Sequence, residues 1–175
     1  QSTNGYPFTI VTASATSNRC FAVSNANAIL RGFTITGANC GVRPSGGLYY
    51  NGCGVYLSGG LVTNCLIRNN IGINSYGVGI FMTGGTVANC FISTNIASGG
   101  NYSDGGGVSM TGGLVDNCTI VGNFGEGGLG WPYGGGVQMT GGILRNCVIA
   151  WNNTRNISGG GIAMDGGTVD RCMIW

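Results

Sequence analysis

The strongest constraint on this chain is a Gly-Gly…Asn-Cys pattern that returns five times in nearly the same form. The first clear copy reads Gly54-Val55-Tyr56-Leu57-Ser58-Gly59-Gly60-Leu61-Val62-Thr63-Asn64-Cys65-Leu66-Ile67, and the others occupy residues 79–92, 107–120, 136–149 and 161–174. Cys65, Cys90, Cys118, Cys147 and Cys172 mark the register, at spacings of 25, 28, 29 and 25 residues. A period of this size is the mark of a solenoid or array, in which each unit buries its apolar face only by stacking on the next.

Within each copy the period is two. Val55/Leu57, Ile80/Met82, Val108/Met110, Val137/Met139 and Ile162/Met164 read as inward pairs, while Tyr56, Phe81, Ser109, Gln138 and Ala163 between them read as outward. Such alternation belongs to strands. The Gly-Gly that follows is a turn signal, because glycine accepts backbone angles that other residues resist. A second short strand carries Val62, Val87, Val115, Leu144 and Val169. Asparagine, which tolerates the left-handed region, then turns the chain again before an inward Cys and Ile. The expectation is two or three short strands per turn. Helical repeats are excluded, since each glycine pair costs roughly 1 kcal/mol per glycine in a helix.

The whole chain, residues 1–175, therefore reads as one all-β domain, a parallel β-helix of about six to seven rungs. Residues 54–175 hold the five regular repeats, and residues 1–37 hold degenerate N-terminal rungs. There Leu30, Phe33 and Ile35 fit the Val, Cys and Ile columns, Phe21 and Val23 fit the earlier inward pair, and residues 7–11 form an edge strand. Loops at residues 38–52, 72–77, 97–106, 124–135 and 153–160 vary in length and form a decorated edge. Composition agrees: 37 glycines, 43% hydrophobic and only 7% charged residues describe a packed chain rather than a disordered one.

The pattern G-G-[VI]-x-[ML]-x-G-G-x-[VL]-x-N-C-x-I-x-x-N resembles the right-handed parallel β-helix repeats of bacterial secreted and surface proteins. It is similar to the repeats of polymorphic outer-membrane proteins, which carry G-G-A-[ILV] and F-x-x-N motifs. Gly135-Gly136-Val137 and Ile149-Ala150-Trp151-Asn152 stand in the matching places, with Ile for the usual Phe. Leu30-Arg31-Gly32-Phe33-Thr34-Ile35-Thr36-Gly37 resembles a further rung. The resemblance implies a fold and leaves function open, because such solenoids serve as lyases, hydrolases, adhesins and filaments.

Stacked strands lie about 4.8 Å apart, so each repeat position becomes a column. The five repeat cysteines form an inward column and read as core filler, since a straight column does not supply a tetrahedral metal site. Cys40 and Cys53 flank a glycine-rich loop, residues 38–53, and are a candidate disulfide. Asp116, Arg145 and Asp170 fall in one outer column and read as a surface ion ladder. Such an arrangement holds both carboxylates ionised, which argues against a general acid there. With no His, no Lys and only five acids (Asp104, Asp116, Glu126, Asp165 and Asp170), no catalytic, metal or cofactor set is expected. Asn-x-Ser/Thr sequons at Asn101, Asn117, Asn152 and Asn156 are candidate glycan sites. Asn101 and Asn156 are the best placed, and Asn117, in the turn, is expected to be the least accessible. Loop aromatics Tyr49, Tyr50, Tyr102, Trp131 and Tyr133 are candidates to stack on sugars or on a neighbouring subunit.

A net charge of +2 with scattered arginines gives no case for nucleic acid, and no apolar run is long enough to span a bilayer. The chain begins at Gln1 with no apolar signal segment ahead of it, so it reads as either a processed, secreted protein, at the cell surface or outside the cell, or an excised piece, with the first the leading expectation. Phe8 and Ile10 near the start, and Met173, Ile174 and Trp175 at the end, mark strand-like ends without polar caps. Low charge and open ends favour self-association. The leading expectation is the subunit of an extracellular filament joined head to tail by strand addition. The alternatives are an adhesin segment of a larger surface protein and a carbohydrate-active enzyme.

Overall fold

The computed structural model describes residues 9–13, 19–41, 51–99, 103–127, 133–155 and 159–175. Among them every regular element is a short strand, and every strand pairing is parallel and in register. The chain is a parallel β-solenoid.

One turn shows the plan. Val55–Leu57, Leu61–Thr63, Leu66–Arg68 and Ile71–Ile73 lie on four successive sides, here called sides I to IV. Each side grows into a sheet, with six, six, seven and five strands on sides I to IV among the described residues. Five turns are complete, from Phe21 to Thr154, with single strands or incomplete turns beyond them. This corrects the expected six to seven rungs: ahead of the first complete turn, the described residues supply only Ile10–Thr12. Phe21 and Val23 pair with Val55 and Leu57, Leu30 with Val62, and Ile35 with Ile67, as the degenerate rung predicts.

The fourth side is the second correction. It lies where the sequence suggests the starts of loops: Asn39–Cys40, Ile71–Ile73, Ile96–Ser98, Phe124–Gly125 and Asn153–Thr154. Its inward positions are Cys40, Gly72, Ala97, Gly125 and Thr154, mostly small residues that leave no apolar alternation to read.

The corners explain the repeat's punctuation. Side I turns into side II at the second glycine of each pair, with φ of 77–94° across Gly60, Gly85, Gly113, Gly142 and Gly167. A Cβ on Gly113 would lie 2.6 Å from Met82 Cε and 2.7 Å from the Gly85 carbonyl, so both angle and space require glycine. Side II turns into side III at Asn64, Asn89, Asn117 and Asn146, all near φ 50°. In the last repeat Arg171 takes that conformation in place of asparagine, at φ 47°.

The interior is a set of uniform columns. Ile35, Ile67, Ile92, Ile120 and Ile149 are fully buried, as are Leu57, Met82, Met110 and Met139. Burial of each such side chain contributes roughly 1.5–3 kcal/mol. At the corner between sides III and IV the column is polar instead. Asn70, Asn95 and Asn123 are buried, and Asn152 continues the row half-buried. Each carboxamide nitrogen donates to the side-chain oxygen one turn on: Asn70 to Asn95 at 2.9 Å, Asn95 to Asn123 and Asn123 to Asn152 at 3.0 Å. Each also donates to a main-chain carbonyl, from Ile35, Ile67, Ile92 or Ile120. The side-chain oxygens in turn accept main-chain N–H bonds from Ala38, Asn70, Asn95 and Asn123.

Asn95→Ala removes the acceptor of both the Asn70 amide and the Asn70 side chain. It is expected to cost about 2–3 kcal/mol in denaturant unfolding. Ser58→Ala, on an exposed corner, is expected to stay within about 0.5 kcal/mol of the parent.

Candidate functional site

Among the described residues the chemistry of the chain is spread over several columns. The repeat cysteines form the expected inward column. Cys65, Cys90, Cys118 and Cys147 are buried, Cys172 is half-buried, and all five carry thiols. Each sulfur reaches the carbonyl two residues back at 3.1–3.4 Å, and a carbonyl one turn below at 3.6–3.9 Å. The main-chain N–H of Cys90 and that of Cys118 donate to the sulfur of the next cysteine at 3.5 and 3.4 Å. Contacts with Cys118 and Cys65, then burial, hold the Cys90 thiol well above its ordinary range, and Cys118 followed by burial does the same to Cys147. Among the described residues no group of three or more Cys, Asp or Glu side chains is arranged to hold a metal ion.

The outer ion column is half formed. Arg145 donates to Asp116 at 2.8 Å, and Asn146 donates to the other oxygen of Asp116 at 2.7 Å. Asp170 is in register with Arg145 but pairs with Arg171 at 3.0 Å instead. The alternating Asp-Arg-Asp ladder is therefore corrected to one bridge and one local pair, because Arg171, the next residue along the chain, offers Asp170 a cation. Arg145 first, and Asn146 next, hold the Asp116 carboxyl below the usual carboxylate range. Its stabilising share is present above the unfolded chain's carboxylate range and is lost as pH falls through the lowered folded value.

Asp104 is the opposite case. It is buried, one carboxyl oxygen has no hydrogen-bond partner, and burial raises it to about 7. Nothing in its spacing distinguishes it from the other acids; only the folded chain shows it turned inward.

Of the candidate glycan sites, Asn101 and Asn156 lie outside the described residues, as do Phe8, Tyr49, Tyr50, Tyr102 and Trp131. Asn117 is in the turn column as expected but is exposed, a correction that follows from its outward corner; its amide donates to Asn89 at 2.6 Å. Asn152 belongs to the internal asparagine row. The amide nitrogen that a glycan would use donates to the Ile120 carbonyl, which removes it from the candidates. Tyr133 is buried among the loops rather than presented outward.

Cys40 and Cys53, the candidate disulfide pair, are both fully buried and lie in hydrogen-bonding contact as thiols. Burial first, and then Cys40, pushes the Cys53 thiol up.

The outer face of side I carries a surface groove with aromatic and polar lining. Tyr56 and Phe81 stack at 5.8 Å, and Arg19 lies 4.9 Å over the Tyr56 ring. Beside them Asn51, Tyr76, Phe81, Ser109, Gln138 and two threonines line a groove of about 250 Å³. Every lining residue is uncharged. Ser109, though outward by register, is buried beneath its neighbours and donates to Gln138 at 2.7 Å.

At the C-terminal rung, Met164, Met173, Ile174 and Trp175 are 46–59% exposed. One turn in, their counterparts Met139 and Ile149 are fully buried. At the other end Ile10 and Ile29 are exposed, and Arg31 stands exposed on side II. Comparison with protein-family models, curated proteins and solved structures finds no match for this chain.

Stability is expected to fall as pH rises from about 4, where Asp104 ionises in the unfolded chain, to about 7, where it ionises in the folded one. Asp104→Asn should remove that decline and gain on the parent across the window, levelling off above it. Denaturation midpoints at several pH values check this; parallel profiles for the two proteins would contradict it.

Proposed function

We propose that this chain is the structural subunit of an extracellular filament, in which copies join head to tail by strand addition at the solenoid's ends. The observation that carries the reading is the exposed apolar C-terminal rung, Met164, Met173, Ile174 and Trp175, whose columns continue those of the first rung. If the first side-I strand of one copy stacks on the last of another, Asp170 comes into register with Arg31 of the incoming copy. Within one copy that outer column already pairs Arg145 with Asp116. Met164 then meets Val23, and Val169 meets Leu30.

Among the described residues side III has seven strands where sides I and II have six, so the junction offers two strands for one place. In the proposed junction Met173–Ile174 displaces Ile10–Thr12 of the incoming copy beside Thr34–Thr36. Ile174 then extends a column that is isoleucine at Ile35, Ile67, Ile92, Ile120 and Ile149, where Ile10–Thr12 supplies Val11. Strand addition of this kind supplies main-chain hydrogen bonds along a whole edge, and a heterologous contact that does not close builds a fibre. An extracellular or surface setting belongs to the same proposal and rests on the resemblance to secreted and surface β-helix repeats.

A second reading, a binding segment of a larger surface protein, is favoured by the uncharged groove on side I. Aromatic rings beside hydroxyl and amide groups suit neutral polyols such as glycans. Retention of the chain on a glycan array, lost on Phe81→Ala, is the result that would favour it.

Arg31→Asp and Asp170→Arg should each raise the concentration needed for assembly by roughly 5–30-fold, a change of about 1–2 kcal/mol. An equimolar mixture of the two should recover assembly, since each variant then meets an opposite charge. Sedimentation and electron microscopy read the outcome. A parent protein that stays monomeric at high concentration, or variants that assemble unchanged, would contradict the proposal.

A further inference from the structure

Three of the eight cysteines lie outside the repeat column, and the first two turns bring all three to one corner. Cys20 stands just before side I, at a position that is glycine in the later turns: its N–H donates to the Cys53 carbonyl, which places it in register with Gly54. Ala38, in the same turn, stands where later turns carry the buried asparagine, as its N–H bond to Asn70 shows. The Cys20 side chain fills the space that the missing carboxamide leaves. Its sulfur points to the carbonyls of Thr36 at 3.8 Å and Val11 at 4.0 Å.

Cys40 enters the same corner from side IV and packs with Cys53, Ala38, Val78 and Ala97, with Cys20 against the cluster. Cys40 is in register with Gly72 of the next turn. A Cβ on Gly72 would lie 3.0 Å from the Cys53 sulfur. The Cys53 sulfur therefore occupies the place over Cys40 where a side chain at residue 72 would sit. A pair on adjoining sides meets across a corner. The repeat cysteines have parallel Cβ directions along one column, which suits a disulfide poorly. Cys40 and Cys53 are fully buried, whereas Cys20 is half-buried and is the thiol most open to a reagent.

We propose that this corner is a thiol–disulfide exchange site, in which Cys40 and Cys53 form the lasting disulfide and Cys20 first meets the oxidant, a small-molecule disulfide. The Cys20 thiolate attacks one sulfur of that disulfide, its S–S bond breaks, and one small thiol leaves with the proton from Cys20. The Cys40 thiolate attacks the Cys20 sulfur, forming a Cys20–Cys40 bond and releasing the second small thiol with the Cys40 proton. The Cys53 thiolate then attacks the Cys40 sulfur, and Cys20 leaves as a thiol carrying the Cys53 proton. Two protein thiols are oxidised, and one small disulfide is reduced to two thiols. The resulting bond closes residues 41–52 into a loop and ties side IV of the first turn to the start of the second.

The test is timed oxidation of the folded protein with glutathione disulfide, followed by acid quench, alkylation and peptide mapping. The expected product is a linked Cys40–Cys53 peptide with Cys20 and the five column cysteines alkylated. Cys20→Ala and Cys20→Ser should form the same link at least tenfold more slowly. Recovery of Cys40 and Cys53 as alkylated thiols, or a final bond that includes Cys20, would overturn the site. Unchanged rates in both Cys20 variants would overturn the entry role assigned to Cys20.

Discussion

The interaction on which the rest of this solenoid depends is the row of buried carboxamides at Asn70, Asn95, Asn123 and Asn152. A buried amide left without partners costs as much as several good contacts supply. Here each side chain spends both donor and acceptor on the turn next to it and on the main chain, so the cost is met only when the turns are stacked in register. A slip of one residue would take each carboxamide out of line with the next and leave its donor and acceptor without their partners. Apolar alternation resists a one-residue slip but specifies register less sharply, because Val, Ile, Leu and Met substitute for one another along the columns. The asparagine row fixes it. A connected and satisfied polar network of this kind specifies one arrangement more sharply than apolar packing alone.

The same logic runs through the other corners. From the second turn on, glycine at one corner and asparagine at another (Arg171 in the last repeat) adopt left-handed angles at the same step, so sides I to III keep their lengths there. Beyond the first turn, variation in length is confined to the stretch between sides IV and I. The specialised chemistry of the chain gathers there. Asp104, Tyr133 and the cysteine corner all lie near that edge, and the uncharged groove on side I borders it.

Much of this was legible in the sequence because it repeats. Residues that recur at a fixed step report a shared environment, which is why the inward pairs, the glycine turn and the cysteine column are read correctly from Gly54 onward. Side IV was not legible. Its inward residues are Cys, Gly, Ala, Gly and Thr, chosen to be small where the corner is tight, and a column defined by lack of bulk carries no hydrophobic period. The asparagine row was visible as the last letter of the repeat, but asparagine is so common at turns that its inward direction was hidden. Asp104 and the contact between Cys40 and Gly72 depend on which residues of different turns meet, and single copies of a residue leave no periodic trace. The ion column shows the limit from the other side: register brought Asp116, Arg145 and Asp170 into line, while Arg171, a neighbour along the chain, took Asp170 away.

The account stands on the carboxamide row, and amide hydrogen exchange measured residue by residue tests it most directly. The main-chain N–H groups of Ala38, Asn70, Asn95 and Asn123 donate to side-chain oxygens rather than to a strand partner. If the row is formed and satisfied, these four amides exchange as slowly as those of the buried strands beside them. Exchange as fast as in an unfolded chain would contradict it.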